Sequence, residues 1–128
     1  MPIFKGWNES LSAKQRTRFV QAMQDVDMLK NNIDGECVQI AASRLLARKE
    51  TGKAMFVFSD GSPLAYGDAN AQRSHLRKVV KDHEGLMHIE AIGIQTESPQ
   101  AYYANSFRVD SLEELPKLLL ERVKKIVL

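Results

Sequence analysis

The chain has 128 residues, enough for one domain with a hydrophobic core. Its 18 basic residues nearly balance 16 acidic ones, and the net charge of +2 argues against a dedicated nucleic-acid-binding protein. No apolar run approaches the roughly 20 residues of a membrane span, the first residues do not resemble a secretory signal, and the single cysteine, Cys37, excludes an internal disulfide, so we expect a cytoplasmic protein.

Helices are predicted in the first part of the chain. Ser12–Gln15 has the form of a capping box at the start of a helix that runs to about residue 29. After a polar break, Asp34 is well placed to cap a second helix over about 35–48. The apolar residues of this helix recur at helical spacing, at Val38, Ala41, Ala42, Leu45 and Leu46.

The most informative segment is an apolar run that ends in an acid and a Gly/Pro turn. Residues 54–59 are apolar on both faces, which is typical of a strand in the middle of a parallel sheet. Chemistry in such sheets gathers at the carboxyl ends of the strands, where Asp60 would lie. The alternative is that Asp60 and Gly61 only form a turn, because Asp-Gly is common turn chemistry.

Further helices and strands alternate towards the end of the sequence. They are a helix at about 69–84 with Leu76, Val79 and Val80 inward, a strand at 87–94, a helical turn at 98–104, a strand at 107–110, and a last helix with Leu118, Leu119, Val123 and Ile126 inward. Ser111–Glu114 has the form of a second capping box, and Pro116 fits only the first turn of the last helix.

The alternation of helices and strands predicts an α/β fold. Strands separated by helices imply right-handed crossovers, so we expect a small, mainly parallel sheet of three strands in a three-layer, Rossmann-like arrangement. The strand at 54–59 has the composition of a central strand, yet no strand precedes it to pair with its other edge.

Several sequence blocks resemble one known family. They are Asn32–Glu36, Ser43–Arg48, Phe58–Pro63, Gln72–Arg77, Ile89–Ile94, and Tyr102-Tyr103 through Asp110. In this order, over about 31–128, they resemble the von Willebrand factor A-like (vWA-like) domain at the C-terminal end of the aerobic cobaltochelatase subunit. In cobalamin biosynthesis that subunit is the partner of an AAA+ ATPase.

The chain also departs from this family. Such domains open a metal-ion-dependent adhesion site (MIDAS) with Asp-x-Ser-x-Ser on their first strand, and this motif is missing here. In the family's strand order, 3-2-1-4-5-6, the chain resembles the second half. We therefore expect one truncated domain over 1–128, in which a helical segment at 1–30 precedes a vWA-like half-domain. The strand missing from this half would lie beside 54–59.

The resemblance assigns two candidate metal ligands. Asp60 matches the acidic ligand at the end of the fourth strand, and Asp34 lies in the loop that carries the middle site residue. Mg²⁺ prefers such oxygen ligands, but two acids form an incomplete site, so we expect weak binding. His83 and His88 lack the spacing of a zinc site, and no phosphate-binding loop is present.

The function implied by the resemblance is protein interaction. The chain would dock an AAA+ ATPase, or a polypeptide that carries the first half of the fold, as a non-catalytic subunit of an ATP-dependent metal chelatase. The alternative is a stand-alone homo-oligomeric binding module, such as a phage or mobile-element derivative, without metal or chelatase activity. A third hypothesis is a small hydrolase that uses Asp60 and His75.

Overall fold

The computed structural model describes residues 3–24, 34–61 and 68–127. The chain forms two compact units, residues 1–32 and 33–128. The first unit contains α1 (Ala13–Gln24). The second contains α2 (Asp34–Leu46), β1 (Ala54–Ser59), α3 (Ala69–Glu84), β2 (His88–Ile94), a 3-10 helix (Ser98–Ala101), β3 (Ser106–Val109) and α4 (Leu115–Val127). Within the described ranges, no helix is long and apolar enough to cross a membrane.

The predicted capping box begins α1. The backbone N–H of Ser12 donates to Oε1 of Gln15 at 2.7 Å, and the backbone N–H of Gln15 donates to the Ser12 hydroxyl at 3.3 Å. This reciprocal pair satisfies backbone donors that the first turn of a helix leaves free. The predicted end of the helix, near residue 29, lies outside the described residues.

The sheet has three parallel strands in the order β1-β2-β3. This confirms the predicted α/β arrangement with a small parallel sheet. β2 occupies the centre of the described sheet and is buried from Ile89 to Gly93, whereas β1 lies at an edge although it has the composition of a central strand. The open edge of β1 agrees with the expectation of a half-domain from which the neighbouring strand is missing. No residue of β1 is fully buried, and Phe58 is 46% exposed.

One face of the sheet carries the main hydrophobic core. On this face, Met55 of β1 is paired in register with Ile89 of β2, and Val57 with Ala91. The buried core is formed by Val38, Ala42, Leu76, Val79, Val80, Met87, Ile89, Ala91 and Tyr103. The inner faces predicted for α2 and α3 are therefore confirmed, since their apolar stripes pack against β1 and β2.

On the opposite face, α4 packs less completely. Side chains alternate along a strand, so Glu90 and Ile92 face away from the main core. The inner residues of α4 are only half-buried, and Val123, predicted to face inward, is 37% exposed. Arg122 instead points towards the sheet, where its Nε donates to the carboxylate of Glu90.

The start of α4 and the turn before it follow the sequence signals in part. Pro116 lies in the first turn of the helix, as predicted. The Ser111 hydroxyl accepts from the backbone N–H of Glu113 at 3.2 Å, whereas a capping box would place Glu114 in that role. Ser111 therefore caps the turn before α4, but the N–H that its hydroxyl accepts from belongs to Glu113, one residue before the Glu114 of the predicted capping box.

The chain turns back tightly after β2. Gln95 has a left-handed backbone, with φ of 56°, and its side-chain amide donates to the carbonyl of Asp110 at 3.2 Å. A Cβ at Gly93 would lie 2.1 Å from the carbonyl oxygen of Thr96. Only glycine therefore allows this close approach, which places the 3-10 helix against the carboxyl end of the central strand.

Candidate functional site

Asp60 lies directly after β1, at the carboxyl edge of the sheet. The Ser59 hydroxyl donates to the carbonyl of Gly61 at 2.7 Å and accepts from its backbone N–H at 3.3 Å. Ser59 thus fixes the turn through its own side chain, and Asp60 is left exposed at the turn. The position agrees with the expectation that this acid stands at the end of a rigid strand.

Asp34 is the first residue of α2 and is half-buried. Its burial raises the pKa of the carboxyl group, and the negative charge of Asp60 raises that pKa further. The fold therefore brings the two predicted ligands near enough for the charge of Asp60 to act on Asp34, although they are separated in the sequence by all of α2 and β1. Two coupled carboxylates attract a cation, since a positive charge would relieve their repulsion.

His75 of α3 packs on the start of α2. A Cβ at Gly35 would lie 2.5 Å from Nδ1 of His75 and 3.1 Å from its Cε1. The imidazole therefore fills the space above the Gly35 backbone, which explains why a glycine follows Asp34. This contact gives His75 a packing role next to the acid pair.

Tyr103 interacts electrostatically with Asp34, and the sequence did not indicate this interaction. Its side chain is buried in the core, and its pKa is raised by that burial and by the negative charges of Asp34 and Glu84. Its neighbour Tyr102 packs differently, with the Arg77 guanidinium 5.2 Å from its ring centroid. The only signal for Tyr103 was its place in a family-like block.

The donor set suits a hard cation but is small. Carboxylate oxygens are the ligands that Mg²⁺ prefers, and Asp34 and Asp60 would supply them. Over residues 3–24, 34–61 and 68–127, no group of three or more His, Cys, Asp or Glu side chains is arranged to hold a metal ion. The described site is thus a pair of acids that needs further oxygen ligands from water or from another chain.

A second polar cluster lies on the other face of the sheet. Glu90 is fully buried and accepts from Arg122 and from Nε2 of His88, the latter at 2.9 Å. The Arg122 guanidinium also lies 5.4 Å from the ring centroid of Phe107. Lys117, Lys124 and Lys125 of the same helix are exposed, whereas Arg122 is half-buried and does not belong to their solvated face. Its charge instead compensates the buried Glu90.

The remaining histidines have structural roles. Nδ1 of His83 lies 2.7 Å from the carbonyl of Val79, one turn earlier on α3. His88 is engaged by Glu90, as described above. Both contacts are made to acceptor oxygens within the same unit of the chain.

The comparison with known families agrees with this architecture. The family model of the cobalamin biosynthesis protein CobT VWA domain matches residues 1–128. The match includes the N-terminal segment that the sequence resemblance did not cover. No solved structure matches the chain. The parallel α/β sheet and the full-length match together show that the chain belongs to the CobT VWA domain family of cobalamin biosynthesis proteins.

Proposed function

We propose that this chain is a non-catalytic interaction module of a cobaltochelatase-type complex. It docks an AAA+ ATPase, or a polypeptide that carries the first half of the vWA fold, while ATP hydrolysis for metal insertion takes place elsewhere in the complex. Family membership supports the relation to the cobaltochelatase subunit. The docking role is supported by the exposed edge of the sheet.

The observation that carries this proposal is the edge of β1 that no strand of the described sheet covers. Within the described sheet, β1 pairs only with β2 and leaves its other edge without a strand. Such an edge presents a row of backbone N–H and C=O groups that another strand can pair with. Phe56 is half-buried and Phe58 is exposed on the same strand, so an added strand would also cover apolar surface.

We propose further that Asp34 and Asp60 bind Mg²⁺ weakly until a partner completes the site. The acids lie at the start of α2 and the end of β1, so a chain added beside β1 would reach the same edge of the sheet. When bound, the ion would supply a positive charge that links carboxylates of two chains. Of the two causes that raise the pKa of Asp34, burial and the negative charge of Asp60, the second supports this proposal, because the same negative charge attracts a cation.

The test measures binding and the position of the contact together. The full chain is mixed with the purified AAA+ ATPase subunit, and separately with a polypeptide that carries the first half of the vWA fold. We expect one of them to bind and to slow hydrogen exchange of the amides at 55–59. Binding should be lost in Phe58→Lys and kept in Ile40→Lys, a matched control because Ile40 on α2 is also 46% exposed. Absence of binding to both partners would contradict the proposal.

The alternative, a homo-oligomeric module without a chelatase role, uses the same edge. Two copies could pair their β1 strands, since the edge and its exposed Phe58 are available in each. In that case the isolated chain would form a stable dimer that neither partner displaces. Sedimentation of the chain alone and with the ATPase therefore separates the two functions.

A further inference from the structure

Helix α4 is apolar on two sides. Its inner side faces the sheet and consists of Leu115, Leu118, Leu119 and Ile126, which are half-buried around Arg122. A helix that packs on one face of a sheet needs only one apolar stripe, the one that faces the sheet. The additional apolar residues of α4 therefore need a separate explanation.

The outer stripe, as we name it, is formed by Pro116, Leu120, Val123 and Val127. Its members follow one another at intervals of four, three and four residues, the spacing of a coiled-coil seam. All four are exposed, with Leu120 at 56% and Val127 at 73%. This continuous line differs from the scattered apolar side chains that are normal on a surface.

Charged side chains flank the outer stripe on one side only, and there two lysines outnumber Glu121, which lies between them in the sequence. Lys117 and Lys124 occupy equivalent positions, seven residues apart and next to the stripe, and both are exposed. Neither takes part in an ion pair among the residues that the structure describes. On its other side the stripe is bordered by the half-buried Leu119 and Ile126.

We propose that the outer stripe docks an amphipathic helix of another protein that carries acidic residues opposite Lys117 and Lys124. Residues beside a helical seam set the choice of partner through their charge. A second copy of this chain fits poorly, because antiparallel pairing would place Lys117 of one copy against Lys124 of the other. In parallel pairing the lysines would face the apolar border at Leu119 and Ile126.

This surface is separate from the proposed docking edge at β1. The outer stripe lies on the exposed side of α4, a helix that reaches β2 and β3 through Arg122, whereas the docking edge belongs to β1. The inference therefore does not rest on the proposed function, and the two can fail independently.

The test uses synthetic helical peptides as probes. One peptide carries leucines at coiled-coil spacing with glutamates beside them, and its matched control has lysines in place of the glutamates. We expect the full chain to bind the acidic peptide about tenfold more tightly than the basic one, because attraction replaces repulsion at two lysines. Fluorescence anisotropy at low salt measures both affinities, and added salt should reduce the difference.

Substitutions locate the contact. Leu120→Glu should abolish binding of the acidic peptide, whereas Ile40→Glu, at a comparably exposed position on α2, should leave it unchanged. The double variant Lys117→Glu/Lys124→Glu should prefer the basic peptide. Circular dichroism and thermal unfolding confirm that each variant is folded.

Three results would overturn the inference. They are equal affinity for both peptides, an unchanged preference in the double lysine variant, and a homodimer of the wild-type chain that Leu120→Glu dissociates. The last result would show that a second copy occupies the outer stripe.

Discussion

Arg122 of α4 donates a hydrogen bond from its Nε to the carboxylate of Glu90, a side chain that is fully buried on the central strand. The pair joins α4 to a sheet that it otherwise covers only with half-buried side chains. A buried carboxylate is costly unless it is paired, so the position of α4 and the charge of Glu90 depend on each other.

The first prediction concerns this pair. Arg122→Ala should lower the free energy of unfolding by about 2–3 kcal/mol, because Glu90 then retains only His88 as a described partner. Combining Arg122→Ala with Glu90→Leu should restore much of the loss, since an apolar pair removes the buried charge. Urea denaturation measures both variants. A loss below about 0.5 kcal/mol for Arg122→Ala would show that the pair behaves like an exposed one.

The second prediction concerns the close turn after β2. Gly93→Ala should destabilise the protein by about 2–3 kcal/mol, because the added Cβ meets the Thr96 carbonyl at 2.1 Å and backbone must move. Gly52→Ala is the control, since a Cβ there meets no atom within 4 Å, and its effect should stay within about 0.5 kcal/mol. Thermal unfolding of both variants checks this, and equal melting temperatures would contradict the predicted crowding.

The third prediction concerns the titration of Asp34. Asp60→Asn should lower the pKa of Asp34, because it removes one of the two causes of the raised value. The pKa should remain above that of an ordinary aspartate, since burial is the larger cause and persists. Carboxyl NMR titration of the wild type and of Asp60→Asn measures the difference. An unchanged pKa would show that the two acids are not coupled.

The same shift has a consequence for stability. An acid whose folded-state pKa is raised binds its proton more tightly in the folded state, so its contribution falls as the pH rises from about 3.9 through the raised folded-state pKa. Asp34→Asn should therefore be more stable relative to wild type at pH 7 than at pH 3. Denaturation at the two pH values provides the measurement.

The fourth prediction concerns magnesium. The chain alone should bind Mg²⁺ with a Kd of roughly millimolar or weaker, because the two acids supply only part of a coordination shell. Binding should also lower the pKa of Asp34, a readout that needs no activity. Calorimetry on wild type and Asp60→Ala decides the assignment. Tight binding that survives Asp60→Ala would place the metal elsewhere.

The sequence predicted those parts of the fold that depend on local periodicity. The inner faces of α2 and α3 follow from apolar spacing, and the parallel sheet follows from the alternation of helices and strands. The composition of β1 is that of a central strand, and its open edge was predicted only because no strand precedes it and because the resemblance covers half of the family's fold. The local sequence pattern does not show which strand is central, because that depends on pairing between segments distant in the sequence.

The site was predicted unevenly for a similar reason. Asp60 and Asp34 could be proposed as ligands from the sequence because each belongs to a family-like block and lies at the end of an element. Glu90 and Arg122 were missed, since a single charge in an apolar strand and an arginine on an amphipathic helix become a pair only in the folded chain. Tyr103 gave no sign of its proximity to Asp34, because that proximity depends on how the 3-10 helix returns to the core.

The last prediction concerns self-association through β1. We expect the isolated chain to associate weakly at micromolar concentration, because an edge that no described strand covers, with Phe58 exposed beside it, can pair with another strand. Phe58→Lys should give a monomer, since a charge on an edge strand opposes pairing. Val57→Lys is unsuitable, because Val57 packs against the main core and its loss would damage the fold.

Sedimentation velocity over a range of concentrations, with Ile40→Lys as the control, measures this association. Added ATPase subunit, or the complementing half-domain, should compete with self-association, because it would occupy the same edge of β1. A dimer that persists in Phe58→Lys would show that β1 is not the contact. If the dimer depends on Phe58 and no partner displaces it, a second copy of the chain occupies the edge of β1. The chain would then be a homo-oligomeric module and not a subunit of a chelatase.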